Sequence, residues 1–283
     1  MKIYFSKMLS MLLIAIGFSS CVNLKHVSEF STSSLEGITA FENIAYGFEQ
    51  YCLEGCRDDR IRDFDITNNE CKCELDKQAD SITLKIYNSV FAYFEGLYLL
   101  SNNELTTYQT EDLENSLSTG DFGPINIDQE NAASHARVSK ILIRAFTDTY
   151  RRNKIREYIK EANEPIMNLL AFLDFNLSSN LNGKLEVSKE RLKADYFDFL
   201  KDTSLSTLEK RRIMEDYFQK LKEIEAIQQQ FTIYSEILVE ISKGHQKLAE
   251  NADKLNILEI KQVLLQYAGD IQTMIVEFKK IQE

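Results

Sequence analysis

The chain has 283 residues with 44% hydrophobic and 11% aromatic content, enough for a substantial core and too much for global disorder. Only 2 Pro and 10 Gly punctuate it, which favours long helices over a sheet with many turns. A net charge of −11 argues against a nucleic-acid partner and against electrostatic adhesion to anionic lipid, since both need clustered Lys and Arg.

Lys2 and Lys7 give the chain a positive start, and an apolar run follows from Met8 to Phe18. That run is shorter than the ~20 residues a spanning helix needs, but it fits the core of a signal peptide over residues 1–20. The sequence Phe18-Ser19-Ser20-Cys21 then resembles the lipobox of bacterial lipoproteins, with Phe where Leu is usual. The resemblance covers these residues only. It implies cleavage before Cys21, acylation of that cysteine, export and attachment to the cell membrane by lipid. Val22 is not the aspartate of inner-membrane retention, which implies an outer-membrane destination, facing the periplasm or the cell surface, in an organism with two membranes. Residues 21–34, rich in Ser and Thr, are expected to be a lipidated flexible tether, and His26 within it inert.

Four further cysteines, Cys52, Cys56, Cys71 and Cys73, form an even set suited to two disulfides in an exported chain. Apolar residues from Leu35 to Phe48 recur at helical spacing, so Cys52 and Cys56 fall one helical turn apart, ahead of a polar stretch. Three pairings are possible. Nesting in an antiparallel hairpin favours Cys52–Cys73 with Cys56–Cys71. A four-thiolate zinc site is the rival, opposed by the C-x-C and C-x₃-C spacings. The hairpin spans residues 35–104, with its second helix from Asp76 to Leu100.

Residues 105–127 form a loop region, with a short helix near Glu111 to Leu117 and a break at Gly120-Asp121-Phe122-Gly123-Pro124. A long-helix bundle follows over 128–283, continuous with 35–104 as one domain. One heptad seam runs from Val138 to Leu173 with Asp148 and Arg152 as polar members, and Pro165 is expected to kink or restart it at Asn163-Glu164. Asn180 and Asn182-Gly183 should end that segment. Leu185 to Leu200 is a shorter helix, and Thr203 to Ser206 supplies the cap for the next one.

The organising element is Ile213 to Leu255. Tyr217, Ile224, Ile227, Phe231, Tyr234, Leu238, Ile241, Leu248, Ala252 and Leu255 step by three and four once Lys220 and His245 take two polar seam positions. Ile257 to Ile281 repeats the pattern, and Asn251, Asp253 and Asn256 supply turn chemistry between them, with Asn256 and Glu259 spaced as a capping box. The fold expected is all-α: an elongated helical bundle with long antiparallel heptad-patterned helices and a disulfide-stapled N-terminal helical hairpin.

His245, on the seam beside Gly244, is a candidate register or switch residue; His135 is expected to be solvated or capping. No catalytic motif, metal site or cofactor fingerprint is present, so the chain reads as a non-enzyme without cofactors. The leading expectation is a lipid-anchored cell-envelope protein acting as scaffold, adaptor or spacer through a protein partner or self-association. Two others stand beside it. The apolar stretch Pro165 to Leu177 resembles, in architecture alone, the inserting tongue of helical pore-forming toxins. His245 or the cysteines could make a metal or small-ligand binder.

Overall fold

A computed structural model of the protein describes residues 24–67, 70–102, 121–122, 125–127, 129–147 and 154–281. In chain order the elements are α1 (Lys25–Thr39), a 3₁₀ turn (Ala40–Asn43), α2 (Phe48–Arg62), α3 (Glu74–Asn102), a two-residue antiparallel pair of β1 (Asp121–Phe122) and β2 (Ile125–Asn126), α4 (Gln129–Thr147), α5 (Ile155–Asp174), a π-helical segment (Phe175–Leu181), α6 (Asn182–Lys201), α7 (Thr207–Glu250), a second 3₁₀ turn (Ala252–Lys254) and α8 (Leu258–Ile281). The described part is an elongated all-α bundle with long antiparallel helices and a disulfide-stapled N-terminal hairpin.

Two rods form the spine. One is α7, 44 residues and roughly 65 Å long. The other is α5, the π segment and α6, helical without interruption from Ile155 to Lys201. They run antiparallel, joined by Lys160–Asp253, His245–Asn163, Ser235–Asp174 and Gln228–Glu186 contacts along their length. Ser206 starts α7 with a capping box: its hydroxyl accepts from the Glu209 N–H while the Glu209 side chain accepts from the Ser206 N–H. The expected seam holds from Phe231 onward, where Phe231, Tyr234, Leu238, Ile241, His245, Leu248, Ala252 and Leu255 are buried. Before Phe231 no α7 residue is buried, and Ile224 and Ile227 only lean on the core. The return helix α8 covers only the C-terminal half of α7, burying Leu264, Ile271 and Phe278.

The chain from Lys25 is not a tether. It is α1, packed at the centre against α3, α7 and α8. Its serines made it look too polar to pack, yet Val27, Phe30 and Ile38 are fully buried. The Ser31 hydroxyl donates to the Val27 carbonyl at 2.8 Å, so it enters the core already satisfied. Small residues are what let α1 approach so closely. A Cβ at Gly37 would stand 2.7 Å from Ile237 Cγ2, and one at Gly244 would stand 2.4 Å from a ring carbon of Phe30. His26 is buried with this helix, and burial lowers its pKa, with Lys261 adding to the effect.

The seam expected as one helix from Val138 to Leu173 is two helices. α4 and α5 pack antiparallel, pinned by Arg137–Glu164 at 2.9 Å and Arg144–Glu161. Asp148 and Arg152 fall between them, outside the described residues, as does the short helix expected near Glu111 to Leu117. Pro165 sits inside α5 without ending it, because Ala162, Ile166 and Leu169 around it are fully buried and hold the helix. Asn182-Gly183 likewise does not stop the rod. The irregularity comes instead at Phe175, where the Ser178 hydroxyl donates to the Asp174 carbonyl at 2.7 Å and competes for the acceptor an α-turn would use.

The apolar stretch from Leu35 to Phe48 is also not one helix. It breaks between the 3₁₀ turn and α2, and Asp80 on α3 caps the new start: the Phe48 and Glu49 N–H groups donate to its two carboxylate oxygens at 2.8 and 2.9 Å. Gly47 is required by this close approach, since a Cβ there would lie 2.6 Å from Asp80 Oδ1. Asp80→Ala leaves two helix-start donors without an acceptor and is expected to cost about 1–2 kcal/mol. Asp80→Asn, which retains an acceptor, should recover part of the loss in melting temperature, and an unchanged melting temperature in Asp80→Ala would refute the cap.

The disulfides are Cys52–Cys73 and Cys56–Cys71, the nested pairing, closing separations of 21 and 15 residues. They matter because α2 buries only Phe48. Each bridge contributes about 2–4 kcal/mol by restricting the unfolded chain. Reduction is therefore expected to raise amide exchange throughout α2 while α7 and α8 stay protected. Equal protection of α2 before and after reduction would show that packing alone holds it.

Candidate functional site

His245 does not face a ligand. Its ring is fully buried, with Nε2 2.6 Å from the Tyr93 hydroxyl and Nδ1 3.2 Å from Asn163 Oδ1. The amide oxygen can only accept, so the ring proton sits on Nδ1 and Nε2 accepts from Tyr93. Phe94 packs edge-on at 5.9 Å, and burial lowers the ring's pKa to about 3. The neutral ring links three helices, α3, α5 and α7, through polar bonds inside an apolar core, an arrangement that fixes their register.

His135 is neither solvated nor a cap. It is buried, with Nδ1 2.5 Å from Ser89 Oγ. Ser89 Oγ also lies 3.0 Å from the Lys85 carbonyl, one turn earlier in α3. The four cysteines are consumed as disulfides, and no three His, Cys, Asp or Glu side chains gather at metal-binding separation among the described residues. Cys21 lies outside the described residues.

Two surfaces go beyond what the sequence pattern suggested. The first is a groove of about 1010 Å³ where the π segment faces the starts of α4 and α2. Asn131, Asn168, Asn176 and Asn180 supply amides; Phe172, Phe175 and Val187 supply apolar wall. Asn168 donates to Glu130 Oε1 and Ser134 Oγ, both at 3.1 Å, and Lys184 lies 5.0 Å over the Tyr51 ring. Phe175 is 61% exposed, whereas Asn176 beside it is buried with its amide nitrogen unpaired. The sequence signal was there in Asn168, Asn176, Asn180 and Asn182 within one helical stretch, of which Asn180 and Asn182-Gly183 read as a helix end.

The second surface is the far end of the spine. Here α6 and α7 leave the core as a hairpin, with Tyr196 against Tyr217 at 5.6 Å between ring centres. The disulfide-bonded α2 runs alongside, joined by Arg191–Asp59 at 2.5 Å and by Phe64 against Phe199. Asp58 is half-buried between them with Lys220 4.0 Å away, and its desolvation raises its pKa against the pull of Lys220. Around this frame Ile61, Phe64, Ile66, Phe197, Leu208, Met214 and Phe218 are exposed, from 45% for Met214 to 99% for Ile66. Exposed aromatic and aliphatic side chains gathered on one end mark a contact surface more often than a solvated one.

Residues Pro165 to Leu177 are mostly core: Ile166, Leu169, Leu170, Leu173 and Leu177 are buried in it. No described helix is long and apolar enough to cross a membrane. Comparison with known proteins adds no relative: no protein-family model, no curated protein and no solved structure matches the chain.

Proposed function

We propose that this protein is a lipid-anchored adaptor of the cell envelope, non-catalytic, which presents the far end of its helical spine to a protein partner. The observation that carries the reading is the set of exposed apolar side chains at the α6–α7 end, on a helical hairpin outside the core that an ion pair joins to the disulfide-stapled α2. The anchoring half rests on the resemblance of Phe18-Ser19-Ser20-Cys21 to a lipobox. A preformed apolar end loses little conformational freedom on docking, so its binding energy is not spent on ordering. The test is photo-crosslinking from position 218 in the intact envelope. One discrete partner, lost in a Met214→Asp variant of unchanged stability, supports the reading; diffuse products with no dominant species refute it.

A second reading, a binder of a small neutral ligand, is favoured by the groove at the π segment. Its amides, exposed Phe175 ring and unpaired Asn176 nitrogen suit a compact ligand bearing hydroxyl or amide groups. Native mass spectrometry of the protein from its own envelope would reveal such a ligand as a mass removed by denaturation.

A further inference from the structure

Cys21 is three residues before Leu24, and Leu24 is already buried at the start of α1. Three residues span at most about 10 Å. An acylated Cys21 therefore holds the α1 end of the bundle against the lipid headgroups, with no tether to lift it away.

What else lies at that end follows from the packing. α1 and α8 run parallel, since His26 neighbours Leu255 and Lys261 while Gln272 reaches Ser33 and Glu36. The start of α1 is thus level with the turn from α7 into α8. The turn's Leu255 and Ala252 are buried, but the next residues are not: Ile257 is 45% exposed and Leu258 67%. Lys254, Glu259 and Lys261 flank them in sequence, and Lys25 pairs with Glu29 at 3.4 Å on the first turn of α1, level with the turn. Acidic neighbours leave little net local charge, so the apolar pair and not electrostatics would drive contact. Two adjacent large apolar side chains at the tip of a turn, flanked by lysines whose stems can reach along the interface, form a shallow wedge suited to the headgroup boundary.

From this placement we infer that the α7–α8 turn, through Ile257 and Leu258, is a second membrane contact that docks the bundle flush on the leaflet and points the α6–α7 end roughly 65 Å outward. The inference rests on the anchoring of Cys21 proposed above. It adds an orientation: the partner-facing end stands as far from the lipid as the molecule allows.

The chain contains no tryptophan, so a single one reports its own surroundings. Leu258→Trp and Leu208→Trp each replace an exposed leucine, one at either end of the spine. Each acylated full-length variant would be placed in phosphatidylethanolamine–phosphatidylglycerol vesicles with brominated acyl chains. The expected result is a blue shift and loss of emission for Leu258→Trp, with neither for Leu208→Trp. Acylated, vesicle-bound protein in which Leu258→Trp stays unshifted and unquenched overturns the docking while leaving the anchor intact. Failure to acylate Cys21 overturns both.

Discussion

Phe231→Asp is expected to unfold the bundle, while Phe218→Asp in the same helix leaves its melting temperature nearly unchanged. Phe231 is fully buried, and replacing it removes an aromatic ring worth about 3–5 kcal/mol in a core. It also places a carboxylate where no cation waits, a further cost of several kcal/mol. Together these approach the whole stability of an ordinary domain. Phe218 is 57% exposed, so its replacement disturbs little folded structure and should instead weaken partner crosslinking. Thermal melts by circular dichroism separate the two. Equal destabilisation would mean that Phe218 is packed in the folded protein and not part of an exposed contact end. Stability in both would mean that the seam packs nothing.

Acid should weaken the fold through His245. The buried ring titrates near 3 when folded and near 6.5 when unfolded. Below 6.5 the unfolded chain binds the extra proton, so stability falls with falling pH by up to about 1.4 kcal/mol per unit, levelling off near the folded value. Above pH 7 the term vanishes. The chain is thus most stable near neutrality and loses its central cross-link on acidification. In His245→Leu the term is absent. That variant should be less stable at pH 7 by about 1–3 kcal/mol, because the Tyr93 hydroxyl loses its acceptor in the core. Its stability should converge on the native value as pH drops toward 4. Parallel pH profiles for the two proteins would assign the acid sensitivity elsewhere.

What the sequence disclosed and what it hid both have physical causes. The cysteine pairing was legible because nesting is the natural geometry of an antiparallel hairpin, and the Ser206 cap because capping chemistry is local. The seam from Phe231 to Leu255 was legible because burial repeats every three to four residues. The same periodicity misled where it continued beyond the core: Tyr217 and Lys220 keep the heptad step, but they meet α6 and α2 outside the core and are not buried. It misled again between Val138 and Leu173, where the spacing continues across two helices, α4 and α5, that pack against each other. α1 was hidden by composition. Ser28, Ser31, Ser34 and Gly37 recur every three residues, which marks close helix packing, but serine content alone suggests a tether. His135 was invisible because its partner, Ser89, comes from α3, and no local pattern reports such a contact. The π-segment groove was missed for the same reason: it needs α2, α4 and the rod brought together.

The most direct measurement is the intact mass of the native envelope protein, taken with thiol alkylation before and after reduction. The expected result is a chain beginning at Cys21 and carrying acyl groups, with Cys52, Cys56, Cys71 and Cys73 alkylated only after reduction. A chain that starts elsewhere without lipid, or whose four body cysteines alkylate freely, would contradict the account of an anchored, stapled adaptor.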